Sequence, residues 1–249
     1  TLFFCLKGQN NDAHSYIKSL IEKGVQHFVV EYIPEKVDGK AHFCVVENTT
    51  NALQNLAKAY KNQFQIETIG ITGSNGKTIV KEWLNFLLSP DFSVVRSPKS
   101  FNSQVGVPLS IFGINENHTL GIFEAGISLK GEMQKLSEII QPNIGIFTHL
   151  GDAHQEGFTT VEEKIIEKCQ LYKNSEIVIL EKNDWIEKHI KVPVFTWSFE
   201  DPKANLFVLD KVKNNLKTTL EIQYEEETFK VLLPFTDDIS IENAITCIS

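Results

Sequence analysis

The stretch GITGSNGKT at Gly70–Thr78 limits what this chain can fold into more than any other segment. It follows the apolar-rich run Ile66–Ile71 and leads into a segment with apolar residues at Val80, Leu84, Leu87 and Leu88. It therefore reads as a tight loop between a strand and an amphipathic helix. That is the context in which a glycine-rich loop cradles phosphate. Glycines let backbone N–H groups approach phosphate oxygens, and the N-terminus of the following helix adds partial positive charge. On this reading Gly73, Ser74, Asn75 and Gly76 wrap a nucleotide's phosphates, Lys77 reaches the β- and γ-phosphates, and Thr78 offers its hydroxyl to Mg²⁺. The general pattern needs glycine at position 71, where Ile71 stands; the match is to the shorter form Thr72-Gly73-x-x-Gly76-Lys77-Thr78. The competing reading is a glycine-rich turn that binds nothing.

From Ile66 onward strands and helices alternate. Strands are expected at Ile66–Ile71, Phe92–Val95, Thr119–Phe123, Ile144–Thr148, Ile177–Leu180 and Val194–Thr196, with helical patterns between most of them. Such alternation specifies a parallel sheet covered on both faces. After Asn205 the periodicity changes. Leu206–Val212, Thr218–Tyr224 and Thr228–Leu233 are separated by turn residues and no helix, which predicts an antiparallel meander. Ile239–Ser249 begins another helix, an ending that points to more chain beyond it. Residues 1–65 form a smaller α/β unit, with strands at Leu2–Leu6, Val25–Val30 and His42–Val46. Asp12 or Ser15 is placed to cap a helix running to Lys23, and Thr49 or Thr50 to cap one carrying Leu53, Leu56, Ala57 and Tyr60. The fold class is α/β, with domains at 1–65 and 66–249. This agrees with a chain of 249 residues at about 150 per domain.

A net charge of −8, from 24 basic and 32 acidic residues, speaks against a duplex nucleic-acid partner. Arg96 is the only arginine, so phosphate must be held by backbone N–H groups, lysine or a metal ion rather than by arginine forks. No run reaches the roughly 18 apolar residues of a membrane span. The opening TLFFCLKG lacks a basic leader and a cleavage site, and reads as a strand; a cytoplasmic protein is expected. Cys5, Cys44, Cys169 and Cys247 are widely spaced and are expected to be buried free thiols.

The Thr72–Thr78 form of the loop resembles that of the Mur ligases, which build the peptidoglycan precursor, and of their folylpolyglutamate synthase relatives. Further segments are similar to that family. They are Asn102-x-x-x-Gly106-x-Pro108-Leu109, Glu124-x-Gly126 followed by Gly131-Glu132, PNIGIFTHLGDAHQEGF at Pro142–Phe158, EEKIIEKCQLY at Glu162–Tyr172, and IENAI at Ile241–Ile245. The resemblance implies a P-loop central domain and an ATP- and Mg²⁺-dependent ligase that joins a carboxylate to an amine through an acyl phosphate. It further implies that Lys77, His154 and Lys168 are catalytic and that Thr78, Glu124, His154 and Lys168 surround the metal, with Lys168 carbamylated. Asn243 would lie beside the adenine, and Asn102 and Ser103 against the substrate. Within the family, the start of the chain, with Gly8, Asp12 and His14, is similar to the UDP-binding first domain of the member that adds D-Ala-D-Ala to UDP-MurNAc-tripeptide. Those two molecules are the implied partners, with Gly8 and His14 on the UDP side. THLGDAHQEGF resembles the form fused to alanine racemase in some bacteria. The family's third domain has no counterpart in the 249 residues.

The residues read by themselves leave alternatives. Glu124 ends a buried strand, where ligands of parallel sheets gather, and suits Mg²⁺. His154 alone reads as a hydrogen-bonded loop histidine, and His149, Asp152 and His154 together could suggest zinc. Lys168 alone reads as a surface lysine with a snorkelling stem, and Lys164 on the same helix is expected to matter little. Four positions depart from the family pattern: His149 replaces an asparagine, Gln170 a glutamate, and Ile239-Ser240 a His-Asn pair. Two other functions remain open at this point, a folylpolyglutamate-synthase-type ligase and a non-catalytic ATP-binding module.

Overall fold

The computed structural model describes residues 1–249 except Gln9, Lys36, Asp38, Lys40 and 151–156. Its N-terminal part holds β1 (Leu2–Phe4), α1 (Ile17–Glu22), β2 (His27–Val30), β3 (His42–Val45) and α2 (Thr49–Lys61). Then follow β4 (Glu67–Thr72), α3 (Lys77–Leu88), β5 (Val94–Arg96), α4 (Gly106–Ile111), β6 (Leu120–Glu124), α5 (Glu132–Ile140), β7 (Ile144–Phe147) and α6 (Val161–Cys169). The remainder is β8 (Ile177–Glu181), α7 (Asp184–Glu187), β9 (Val194–Ser198), β10 (Leu206–Lys213), β11 (Thr218–Tyr224), β12 (Glu227–Leu233) and α8 (Asp238–Ile248). The expected elements are present, with ends shifted by a residue or two.

Two sheets organise the described residues. The first has three strands in the order β1-β2-β3, all parallel, around a core of Cys5, Ile17, Phe28 and Val30. The second has nine, in the order β12-β11-β10-β9-β8-β7-β4-β6-β5. It is parallel from β5 to β10 and antiparallel in the β10–β12 meander. Alternation along each strand sends neighbours to opposite faces. Ile69, Ile71, Leu120 and Ile122 pack with Val80 and Leu84 of α3, while Phe123 and Phe147 face the core built with α4, α5 and α6. Each fully buried Ile, Val, Leu or Phe contributes about 1.5–3 kcal/mol, so both faces are needed to hold the sheet.

α2 links the two sheets. Asn48, not Thr49 or Thr50, caps it, through a hydrogen bond from Asn51 N–H at 2.8 Å. The Thr49 hydroxyl is used elsewhere: it donates to Cys5 O (3.0 Å) and lies against Glu31 Oε1 (3.3 Å), tying the helix start to the small sheet. Farther along, Ala57 and Tyr60 pack into the core of the large sheet, and the buried Gln54 donates to Gln104 O (3.1 Å) and Oε1 (2.9 Å). The thiols are all free, but only Cys5 and Cys169 are buried; Cys44 is exposed, because β3 is an edge strand with one face open. Among the described residues no helix is long and apolar enough to cross a membrane.

Candidate functional site

Parallel strands end at one edge of the large sheet, and three central ones, β6, β4 and β7, end side by side. The register sets Glu124 opposite Ile71 and Phe147 opposite Thr72. The loop after β4 therefore starts between the ends of β6 and β7, where ligands of α/β sheets bind. The end of β7 braces that loop: Thr148 Oγ1 donates to Asn75 O (2.5 Å), and His149 O accepts from Ser74 N–H (2.8 Å). Two glycines are obligatory here. Gly73, at φ +149°, carries no Cβ that would overlap Thr148 Oγ1, and Gly76, at φ +83°, none that would overlap Asn243 Oδ1.

Lys77 opens α3 and folds back over the loop, donating to Gly73 O (2.9 Å) and Ser74 O (3.2 Å). Lys168, from α6, donates to the same Gly73 oxygen at 2.9 Å. Thr78 Oγ1 donates to Glu124 Oε2 at 3.0 Å. Asn243, from α8, sits over Gly76 and is 5% exposed. Ser74 Oγ and Asn243 Nδ2 are buried without a hydrogen-bond partner among the described residues, as expected of groups that wait for a ligand. A cavity of about 210 Å³ opens here; Gly73, Ser74, Lys77, Asn102, Ser103 and Lys168 are in its wall. Three segments far apart in sequence thus converge on one space.

Other expected site residues lie elsewhere. Gly8 lies in the loop after β1, and His14 in the short 3-10 helix Ala13–Tyr16 that follows it. His14 is 3% exposed and both ring nitrogens are engaged, Nδ1 with Asp12 Oδ1 (2.5 Å) and Nε2 with Glu31 N–H (2.9 Å). Tyr32 stacks on it, with ring centroids 4.3 Å apart. Gly8 N–H donates to Asn11 O (2.8 Å), three residues further along the chain. His154, and Asp152 with it, lies outside the described residues. Of the zinc alternative only His149 can be followed; its Nδ1 lies 3.8 Å from Glu242 Oε2. The described residues hold no group of three or more His, Cys, Asp or Glu able to take a metal. Arg96 pairs with Glu82 at 2.9 Å on the surface and plays no part in the cavity.

The surface reading of Lys168 is overturned. It is 4% exposed, because α6 turns it inward onto the loop. Burial, then the positive charges of Lys77 and Lys164, pulls its ammonium down to about 7. Burial also lowers Lys77, with Lys164 adding to the effect and Glu124 opposing it. Lys164, one turn before it on the same helix, is buried as well, at 1% exposed.

Residues 71–249 match the Mur ligase middle domain. The chain belongs to the Mur ligase family. It is 33% identical over 269 aligned residues to the UDP-N-acetylmuramoyl-tripeptide–D-alanyl-D-alanine ligase of Borreliella burgdorferi, covering 100% of this chain and 56% of that one. MurF from Acinetobacter baumannii has the same fold, with a TM-score of 0.89 at 24% identity over 99% of this chain and 55% of its own. MurF ligase from Thermotoga maritima, solved in complex with ADP, aligns with a TM-score of 0.87 at 24% identity over 99% and 58%. The chain thus spans a little over half the length of these relatives.

In this Mur ligase chain, sequence reasoning missed Lys81. It lies one helical turn after Lys77 on the face that carries Val80 and Leu84 inward, and a lysine on an apolar stripe was the available signal. Its Nζ is 2.9 Å from Glu124 Oε1, both side chains are fully buried, and it donates to Ser97 O (2.9 Å) and Lys99 O. Ser97 Oγ in turn accepts from Glu124 N–H (3.2 Å). The pair fixes the Glu124 carboxylate at the end of β6, next to the Thr78 hydroxyl. Lys81→Met is expected to destabilise the protein by about 3–5 kcal/mol, because it strands a buried carboxylate. Adding Glu124→Gln should restore most of the loss. Urea unfolding of the single and double variants measures both effects, and equal loss in the two would show that the carboxylate is not the cause.

Proposed function

We propose that the whole protein is an ATP-dependent ligase that adds D-Ala-D-Ala to UDP-MurNAc-tripeptide in peptidoglycan precursor synthesis, in the cytoplasm. The observation that carries this reading is the cavity where the phosphate loop, Asn102-Ser103 and Lys168 meet. The γ-phosphoryl group of ATP passes to an oxygen of the tripeptide's terminal carboxylate, giving an acyl phosphate and ADP. The amine of D-Ala-D-Ala then attacks the acyl carbon, and phosphate leaves. Little covalent chemistry falls to the protein; it must position two anions and neutralise developing charge.

The residues divide that work. Backbone N–H groups of the Gly73–Gly76 loop, other than that of Ser74, which donates to His149 O, and of the start of α3 hold the phosphates, and Lys77 moves from Gly73 O to the β- and γ-phosphates. Asn243 turns its unpartnered Nδ2 toward the nucleotide. Asn102 and Ser103 face the substrate. Thr78 and Glu124 present a hydroxyl and a carboxylate, hard oxygen donors that fit Mg²⁺. When bound, that ion supplies charge neutralisation at the transferring group. Carbamylated Lys168 and His154 join this set through the family resemblance. Residues 1–65 form the UDP-side domain, in which His14 braces the turn carrying Gly8, and 66–249 form the ATP domain.

The test is ligation by the whole protein with UDP-MurNAc-tripeptide, D-Ala-D-Ala, ATP and Mg²⁺. The expected products are the pentapeptide, ADP and phosphate in equal amounts. Glutamate addition to a folate instead would assign the other ligase type, and nucleotide binding without acyl phosphate would leave a binding module. The finer similarity of 148–158 to the racemase-fused form is tested by the gene's reading frame on either side of these 249 residues.

A further inference from the structure

Lys164 is 1% exposed, and its Nζ has no hydrogen-bond partner among the described residues. A buried, unpaired ammonium is costly, and one lost charge would relieve the cost. The nearby acids of its own helix are committed elsewhere. Glu162 pairs with Lys188 (3.0 Å), Glu163 accepts from Thr159 N–H (3.1 Å), and Glu167 accepts from Met133 N–H (2.9 Å) at the start of α5. Glu124 is held by Lys81 and Thr78. No described carboxylate neutralises Lys164.

Its position says what could. Lys164 and Lys168 are one turn apart on the buried face of α6. Lys168 Nζ and Lys77 Nζ both rest on Gly73 O at 2.9 Å. In a phosphate loop the lysine marks the β/γ end of the phosphate chain. The charge of Lys164 is felt at both of those lysines. Lys77 and Lys168 thus line the cavity where the last phosphate of a triphosphate would lie, and Lys164 stands one helical turn from Lys168 with its charge unopposed by any described carboxylate.

We infer that Lys164 is an anion-binding residue of this site, one whose ammonium takes an oxygen of the γ-phosphoryl group and finds there a counter-charge that no described carboxylate supplies. The inference rests on the reading of Gly73–Thr78 as an ATP site. It goes beyond that reading by assigning a second lysine, from α6, to discriminating triphosphate from diphosphate.

Two measurements on the protein and on Lys164→Met, Lys164→Gln and Lys164→Arg test it. In calorimetric titrations with Mg²⁺ present, the neutral variants should bind the β,γ-imido analogue of ATP at least about tenfold more weakly, the size of a lost charge-assisted hydrogen bond, with ADP affinity unchanged within about twofold. Lys164→Arg should keep most of the preference. In thermal melts without nucleotide, Lys164→Met should raise the melting temperature, since it removes an unpaired buried charge. A lysine with a merely structural role predicts the opposite sign. Unchanged triphosphate binding, an equal loss for both nucleotides, or a lower melting temperature in the free protein would each overturn the inference. Wild-type protein that binds neither nucleotide would instead overturn the reading of the loop on which it rests.

Discussion

Replacing Lys77 by methionine is expected to slow acyl-phosphate formation by the whole protein at least about 100-fold, while the fold survives. The rate loss follows from the chemistry. Charge gathers on the transferring phosphoryl oxygens, and a preformed cation in a site with little water stabilises the transition state more than the ground state. The survival of the fold follows from the structure. Lys77 is only partly buried, and its hydrogen bonds go to two loop carbonyls, Gly73 O and Ser74 O, rather than to a buried acid. Its removal strands no charge, in contrast to Lys81. Single-turnover assays for acyl phosphate and a thermal melt on the same sample measure the two halves. Wild-type turnover in Lys77→Met would remove the phosphate loop from the mechanism. A collapse of stability would show that the lysine holds the loop together, and the lost rate would then say nothing about catalysis.

Lys168→Ala is expected to inactivate the whole protein, and short carboxylates added to the assay should restore part of the activity. An ammonium beside phosphates could attract them but could not ligate Mg²⁺; a carbamate on the same side chain could, through oxygen. Carbamylation needs the neutral amine. With its ammonium brought down to about 7 by burial and by Lys77 and Lys164, Lys168 is substantially neutral at and above neutral pH, whereas an ordinary lysine is almost wholly protonated there. The sign follows directly. As pH falls through about 7 the amine takes up a proton, so Lys168-dependent activity should decline on the acid side, and activity rescued by carboxylate in Lys168→Ala should not follow that decline. Steady-state rates across pH, with and without acetate or propionate, give the comparison. Full activity in Lys168→Ala, or no rescue at any carboxylate concentration, would reduce Lys168 to a brace on Gly73 O.

The α/β class and the order of the elements were legible because they depend on short-range pattern. Ile69, Ile71, Leu120 and Ile122 repeat with the period of a strand, Val80 and Leu84 with that of a helix, and each period is set by backbone geometry alone. The Gly73–Thr78 loop was legible for a related reason: positive φ at Gly73 and Gly76 and a cation at Lys77 are demands that one short segment meets by itself. Glu124 was found because its strand could be traced to its end.

What neighbours in sequence do not determine is what an inward-facing polar side chain will meet. Thr49 looked like a helix cap, yet its hydroxyl is taken by Cys5 O, and Asn48 caps instead. Lys168 read by itself as a solvated lysine, and nothing singled out Lys81, since a lysine in water is the cheaper state unless the fold supplies a partner. For Lys81 the partner is Glu124, and for Lys168 it is Gly73 O, 95 residues away in the chain. Local pattern fixed the phosphate loop and the strand ends. Only the closure of the sheet, with β4 between β6 and β7 and α6 bringing Lys168 to Gly73 O, decided which charges stand together around the loop, because electrostatic contact depends on distance in space and not along the chain.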